Sequence, residues 1–280
     1  MVKVGVHVSI AGSIDRAVGR AQKIGCDTFQ IFTRNPRSWR FKDLSTEQIE
    51  KFTQGIEKSG IYPPVAHMPY LPNLASPKED VYSRSIDTLT NEIARCSALQ
   101  IPYLVTHLGS HLGKGMEEGF ERIISAVDAA TCENRGVTLL LENTAGTKNS
   151  MGGSFADIQR IIDGLKHDEL VGVCFDTCHA FAAGYELRTA EALDETLAEF
   201  DRTIGLDRLK LIHLNDSKGA LGSRVDRHEH ISMGEIGEDG FRAILHHEVL
   251  KTLPMILETP VDERRDDVGN IREARMLAEG

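Results

Sequence analysis

At 280 residues the chain is long for one ordinary domain but fits a single barrel of roughly 250 residues plus active-site loops. With 26% charged and 41% hydrophobic residues, and no low-complexity tract or Pro/Gly-rich linker, it reads as one soluble domain over 1–280. A formal charge of −10 argues against a general polyanion binder, which would rest on Lys and Arg, although carboxylates facing divalent cations would be neutralised in place.

In chain order, the N-terminus enters a strand at Lys3 to Val8, leaving no room for the apolar stretch of a signal peptide or a membrane span. Ser13 to Ile24 follows as a helix, with Ile14, Ala17, Val18, Ala21 and Ile24 at helical spacing. A strand over Thr28 to Phe32 precedes a long loop and a helix from about Ser45, where Ser45-Thr46-Glu47-Gln48 resembles a capping box. Four strands then end at His67, His107, Glu142 and Asp176, followed by helices near 79–99, 117–135, 154–165 and 188–204. A seventh strand ends near Asn215 and an eighth at Glu258, before a charged C-terminal helix. Five cysteines with no Cys-x-x-Cys pair point to reduced thiols and a cytoplasmic location.

Six apolar runs end in a metal-type side chain: His67, His107, Glu142, Asp176, His213 and Glu258. The gaps between them are 40, 35, 34, 37 and 45 residues, each close to one strand, one helix and two loops. That recurrence lays six ligand-type residues at the same end of parallel strands, as in a (β/α)8 TIM barrel with its active site at the C-terminal mouth. The short, β-branched strands suit a parallel sheet buried on both faces, and no hairpin signature interrupts them. A doubly wound sheet is the weaker reading, since no Gly-rich phosphate loop follows the first strand.

Three clusters enrich the ring. Asp176 and His179 lie three apart where a strand turns into a loop, and could serve one metal or two. His213 to Lys218 is a polar run, and Asp226 and His228 alternate along an extended segment. Nine candidates, His67, His107, Glu142, Asp176, His179, His213, Asp226, His228 and Glu258, are too many for one ion. Nitrogen with carboxylate oxygen suits zinc, and also manganese. A lone His at a strand end is usually just hydrogen-bonded, but six in succession are not explained that way.

The chain resembles the endonuclease IV family of apurinic/apyrimidinic (AP) endonucleases nearly end to end. The carrying segments are 5–9, 32–37 with Trp39, 67–71, 141–146, and most specifically Phe175-Asp176-Thr177-Cys178-His179-Ala180, His213-Leu214-Asn215-Asp216-Ser217-Lys218 and Asp226-Arg227-His228. The resemblance implies three zinc ions. His67, His107 and Glu142 would hold one, Glu142, Asp176, His213 and Glu258 a second bridged by Glu142, and His179, Asp226 and His228 the third. It also implies a substrate, double-stranded DNA with abasic sites or blocked 3′ ends. The DNA would be cut 5′ to the lesion to leave a 3′-hydroxyl and a 5′-deoxyribose phosphate, and 3′ ends would be cleaned. Clustered divalent ions suit that reaction because they lower the pKa of a shared water and stabilise both attacking and leaving oxygens. Glu142 is expected to bridge the metals beside the attacking hydroxide, with no side chain acting as a covalent nucleophile.

Arg34, Arg37 and Arg40 around Trp39 form a basic, aromatic cluster suited to phosphates and to wedging near a gap in the base stack. Tyr70 and Leu71 match the family's intercalating pair, which fills the space left by a flipped-out nucleotide. His7 is expected behind the ligands, orienting one of them or a phosphate. The sequence departs from the family at Ser232 and Met233, where Gly and an acidic residue are common, and His230 is expected to face solvent rather than compete as a ligand. Gly146 to Gly153 reads as a flexible mouth loop, Cys178 as packing, and Asp262 to Asp267 as a solvated helix start. His111, His246 and His247 carry no signal.

Two rival functions fit parts of this pattern: a divalent-metal sugar isomerase or epimerase on the same barrel type, and a lesion-binding protein without chemistry. Asp226 with His228 and the cluster of Arg34, Arg37, Tyr70 and Leu71 favour DNA. A monomer without membrane attachment is expected.

Overall fold

A computed structural model of the chain describes residues 2–132 and 136–280. Eight parallel strands lie side by side in chain order: β1 (Lys3–Val6), β2 (Phe29–Ile31), β3 (Pro64–His67), β4 (Tyr103–Thr106), β5 (Thr138–Glu142), β6 (Val171–Asp176), β7 (Leu209–His213) and, after a short hairpin of β8 (Asp216–Ser217) and β9 (His228–Glu229), β10 (Pro254–Leu257). β10 pairs with β1 along Lys3–Val6. The β1–β2 seam is drawn together by a bridge between His7 and Gln30, and by the Val8 N–H donating to the Gln30 carbonyl at 2.8 Å. The result is the (β/α)8 barrel expected from the strand-end pattern.

The helices are α1 (Arg16–Ile24), α2 (Thr46–Ser59), α3 (Glu79–Ala98), α4 (Met116–Thr131), α5 (Phe155–Gly164), α6 (Thr177–Ala183), α7 (Ala190–Thr203), α8 (Gly237–His246) and α9 (Asp267–Glu279). They pack outside, except the short α6, which continues β6 at the mouth and lies against β8. The capping box at Ser45 forms as expected, with the Ser45 side chain accepting from Gln48 N–H and the Gln48 side chain from Ser45 N–H. Phe29 of β2 meets Phe52 of α2 edge-on, 6.3 Å between ring centroids, in the apolar layer between barrel and helices.

Inside the barrel, Val65, Val105, Leu140, Cys174, Leu211 and Ile256 form one fully buried cluster. Side chains alternate along a strand, so the residue two further on points to the same side. Those residues are His67, His107, Glu142, Asp176, His213 and Glu258. The six apolar residues are therefore a floor, and the six ligand-type residues the next layer up. A register shift between β6 and β7, with Lys210 as the extra residue in β7, brings Asp176 level with His213. Gly5 is required where β1 passes β2, because a Cβ there would lie 1.7 Å from the Thr28 carbonyl oxygen.

Several boundaries and local readings differ from expectation. β1 stops at Val6 and β2 spans only Phe29–Ile31, with the His7–Gln30 bridge as the sole strand pairing of β1 beyond Val6 among the described residues. His107 and Glu258 each sit one residue beyond their strands. The fourth helix ends at Thr131, and the expected continuation over 133–135 lies outside the described residues. Asp176-Thr177-Cys178-His179 turns into α6 rather than a loop, with Asp176 as N-cap accepting from the His179 N–H at 2.7 Å. The antiparallel β8–β9 hairpin, which no turn signature announced, carries His228. The 146–153 loop is pinned rather than free: Met151 is buried, its N–H donates to Gly109 O at 2.9 Å, and the Thr144 N–H donates to Gly152 O at 2.9 Å. No helix among the described residues is long and apolar enough to cross a membrane.

Candidate metal centre

Glu142 sits fully buried at the end of β5 with imidazoles on both sides. Its Oε2 lies 3.2 Å from His67 Nε2 and 3.6 Å from His107 Nδ1, and its Oε1 3.2 Å from His213 Nδ1 and 3.3 Å from His179 Nδ1. His213 Nδ1 also lies 3.3 Å from Glu258 Oε2 and 3.9 Å from Asp176 Oδ2. His228 Nε2 is 3.6 Å from Asp176 Oδ2, and Asp226 Oδ1 is 3.1 Å from His179 Nε2. All nine expected ligands are thus in one cluster at the barrel mouth. Their donor atoms fall into compact groups: His67 with His107 and Glu142; Glu142 with Asp176, His213 and Glu258; and His179 with Asp226 and His228. A fourth group joins Cys178 to Asp176 and His228. Cys178 is fully buried, which pushes its thiol up to about 12.

Four imidazoles have one ring nitrogen hydrogen-bonded to a backbone carbonyl or to Gln30, although His179 Nδ1 also lies within reach of Glu142. His67 Nδ1–H donates to Met68 O at 2.7 Å, His179 Nδ1–H to Asn143 O at 3.0 Å, His228 Nδ1–H to Glu258 O at 3.0 Å, and His213 Nε2–H to Gln30 Oε1 at 2.9 Å. Each outer bond sets the tautomer and turns the other nitrogen's lone pair toward the carboxylates, the arrangement of metal-binding histidines. His228 Nε2 is buried with no hydrogen-bond partner at all. Two fully buried carboxylates, Glu142 and Asp176, with half-buried Glu258 beside them, further demand positive charge among them. The residues present therefore fit divalent cations.

Without bound cations, the imidazoles themselves answer the carboxylates' demand for positive charge. Burial alone would push the Glu142 carboxyl up, but His107, His213 and His179 hold it well below the usual carboxylate range. Glu258 is likewise held down, against burial, by His213, His7 and His67. His213 is raised well above an ordinary imidazole despite burial, by Cys174, Glu258 and Glu142, and His179 by Asp176, Asp226 and Glu142. Burial lowers His7 and His107.

Residues outside the expected set complete the centre. Gln30 donates to Glu258 Oε1 at 2.6 Å while accepting from His213, and lies 3.1 Å from His7 Nδ1. His7 is thus where expected, behind Glu258. Asn215 donates to Asp176 Oδ2 at 2.8 Å and accepts the Glu258 N–H at 2.8 Å. Asn143 clamps the Asp176 backbone, accepting its N–H at 2.7 Å and donating to its carbonyl at 3.0 Å. Gln30 was findable in the sequence as a polar residue in an apolar strand, two past Thr28 on the inward register.

The centre opens into a cavity of about 430 Å³, rimmed by Phe32, Tyr70, Thr259 and Val261. A cleft of about 490 Å³ behind the β2–α2 loop, lined by Arg34, Arg40, Phe41 and Arg95, holds none of the candidate ligands. Around the mouth, Tyr70 is 62% and Leu71 37% exposed. Arg37 and Arg40 are exposed and Trp39 half-buried, with the Arg84 guanidinium 5.9 Å from its ring. Exposed Lys114, Lys148, Lys218, Arg224 and Arg227, on loops after β4, β5 and β7, were not foreseen.

Two expectations are corrected. Arg34 does not face outward: it is buried, its Nε 2.7 Å from the buried Glu92 Oε1, and its guanidinium lies under Phe41 at 4.4 Å. An apolar lid and an internal counter-charge turned it inward. His230 does not face solvent: it is fully buried, with Nε2 3.0 Å from Asp262 Oδ1 and Nδ1 3.0 Å from Asn270 Nδ2. Both nitrogens are occupied, so it offers no lone pair to a metal. Asp262 is itself exposed, in the solvated run that leads to the Asp266 N-cap of α9, and it accepts from His230 there.

A family model described as a xylose isomerase-like TIM barrel matches residues 18–279. The probable endonuclease 4 of Methanoculleus marisnigri is 60% identical over 281 residues, covering 99% of each chain. That of Cenarchaeum symbiosum is 50% identical, covering 99% of this chain and all of the relative. The crystal structure of endonuclease IV from Thermus thermophilus superposes with a TM-score of 0.87 at 38% identity, covering 99% of both chains. A D-tagatose 3-epimerase-like protein shares only the fold, at 20% identity and a TM-score of 0.73. Its sequence identity to these relatives over nearly its full length makes the chain a member of the endonuclease IV family.

Proposed function

We propose that the chain, acting as one domain and as a monomer, is a zinc-dependent AP endonuclease. It would hydrolyse the phosphodiester 5′ to an abasic site in duplex DNA, leaving a 3′-hydroxyl and a 5′-deoxyribose phosphate, and would clear blocked 3′ ends. The observation that carries this reading is the set of four imidazoles, each with one nitrogen fastened to a backbone carbonyl or Gln30 and the other facing a carboxylate of the cluster.

Three zinc ions, or manganese in some positions, would be held by His67, His107 and Glu142, by Glu142, Asp176, His213 and Glu258, and by His179, Asp226 and His228. Bound there, divalent cations supply Lewis acidity and a water deprotonated near neutral pH. Glu142 belongs to two groups and so sets their spacing. Gln30, Asn143 and Asn215 orient ligands whose misplacement by about 1 Å would cost rate.

Tyr70 and Leu71 stand exposed at the rim beside the cavity and would enter the base stack where a base is missing. Arg37, Trp39, Lys114, Lys148, Lys218, Arg224 and Arg227 would meet backbone phosphates, giving a chain of net charge −10 a locally cationic mouth. A sugar isomerase has no use for an exposed aromatic and aliphatic pair at this rim, nor for the additional Asp226 and His228 group.

The test is incubation of purified protein, with and without prior chelation, with an end-labelled duplex carrying one abasic analogue. A single metal-dependent cut immediately 5′ to the lesion, absent on intact duplex, is expected. No cut from protein still carrying zinc would overturn the reading.

A further inference from the structure

Asp226 and His228 reach the centre on an arm, residues 226–232, that belongs to no strand of the barrel. Five successive residues of that arm are bonded to the segment 258–273, which runs from the end of β10 into α9. His228 Nδ1–H donates to Glu258 O at 3.0 Å, and Glu229 accepts from both Nη atoms of Arg264, at 3.0 and 2.9 Å. His230 Nε2–H donates to Asp262 at 3.0 Å and Nδ1 accepts from Asn270 at 3.0 Å. The Ile231 N–H donates to Asn270 Oδ1 at 3.2 Å, and its carbonyl accepts from Arg265 at 2.6 Å. The Ser232 hydroxyl donates to Glu273 Oε1 at 2.9 Å.

Arg264 closes this set into a cycle. Its Nη2 also donates to Asp262 Oδ2 at 2.7 Å, so Glu229, next to the ligand His228, and His230, two beyond it, are held by one guanidinium and its carboxylate partner. A lone exposed ion pair contributes little, but a bidentate fork inside a network fixes geometry as well as charge. Ser232 adds a second constraint: it holds φ +66°, a left-handed conformation unusual for a residue with a side chain, and its hydroxyl is tied to α9.

We propose that Arg264 is a positioning residue for the Asp226 and His228 side of the centre, setting the arm so that both ligands meet His179. The inference rests on the reading that His179, Asp226 and His228 hold a metal ion. It assigns the β10–α9 loop the task of templating one group of ligands while β3 to β7 and β10 template the others. Arg264 touches none of the nine ligand side chains, and its effect is confined to one group of three.

The test is a titration of metal-stripped protein with Zn2+ against a chromophoric chelator, combined with amide exchange across 226–232. Wild type is expected to hold three ions. Arg264→Met is expected to hold two unchanged and a third weakened about 10–100-fold, as loss of a ligand-orienting partner does. Its arm should exchange faster while β4 and β5 do not. Glu229→Gln should do the same, and the double variant should be no worse than either single one. Three ions held as tightly in Arg264→Met as in wild type would overturn the proposal. So would a uniform weakening of all three, and Glu229→Gln decides the matter should Arg264→Met fail to fold. Wild type holding fewer than three ions would instead overturn the trinuclear reading, and the clamp with it.

Discussion

Gln30 and Glu258 stand 228 residues apart in the chain and 2.6 Å apart across the barrel mouth, the Gln30 amide donating to Glu258 Oε1. The same amide accepts from His213 Nε2 at 2.9 Å, so one uncharged side chain orients a carboxylate and an imidazole of one ligand group. Gln30→Leu, similar in size, removes both bonds. Its zinc affinity is expected to fall about 10–100-fold at the group containing His213 and Glu258, read by competition with a chelator. Unchanged affinity would remove Gln30 from the centre.

Glu142 faces four imidazoles, two on each oxygen. Glu142→Gln keeps the shape but halves the acceptor capacity and removes the charge. Cleavage is expected to drop by at least about 10³-fold while binding to abasic duplex, measured by fluorescence anisotropy, persists. A variant cutting near the wild-type rate would exclude the shared-ligand role.

Tyr70 is 62% exposed and packs edge-on against Phe32, 5.0 Å between centroids. Tyr70→Ala is expected to leave the unfolding free energy within about 0.5 kcal/mol of wild type, as at most exposed positions. Preference for abasic over intact duplex should fall about 10-fold, with metal content unchanged. Equal preference in both proteins would count against the wedge.

Arg34 faces Glu92 inside the protein, both at most 4% exposed. Arg34→Ala leaves a buried carboxylate without its partner and is expected to cost about 3–5 kcal/mol by urea denaturation. A fully stable variant that had lost only DNA affinity would show that Arg34 reaches the substrate.

In metal-stripped protein, Glu142 and Glu258 lie well below their ordinary 4.5, so their contribution is present above 4.5 and lost as pH falls through their lowered values. His179 and His213 lie well above 6.5, so theirs is full below 6.5 and lost as pH rises through the raised values. His7 and His107, lowered by burial, oppose this by losing stability below 6.5. Metal-stripped protein should therefore melt highest at mildly acid pH, between about 4.5 and 6.5. Zinc should move the maximum upward, because bound ligands must be deprotonated. A melting temperature of stripped protein that climbs steadily to pH 8 would contradict this.

The candidate ligands at the strand ends were legible in the sequence because their signal is local. Val65 and His67, Leu140 and Glu142, Leu211 and His213 are pairs two residues apart, and two is the period of a strand. An inward apolar residue on each strand therefore carries its ligand with it, and repetition at one strand-plus-helix spacing names the barrel. The same rule reaches Gln30 as the one polar residue of apolar β2, but only once the strand register is known.

By itself, the sequence determined which side chains lie at the strand ends and the capping of α2, all set within a few residues by side-chain alternation and hydrogen bonding. Tertiary structure alone decided the rest, because it depended on distant partners. Glu92 on α3 supplied the charge that turned Arg34 inward, Asp262 and Asn270 took both nitrogens of His230, and Arg264 fixed the arm bearing Asp226 and His228. A buried charge or imidazole goes where its counterpart is, and a counterpart dozens of residues away leaves no trace in local pattern.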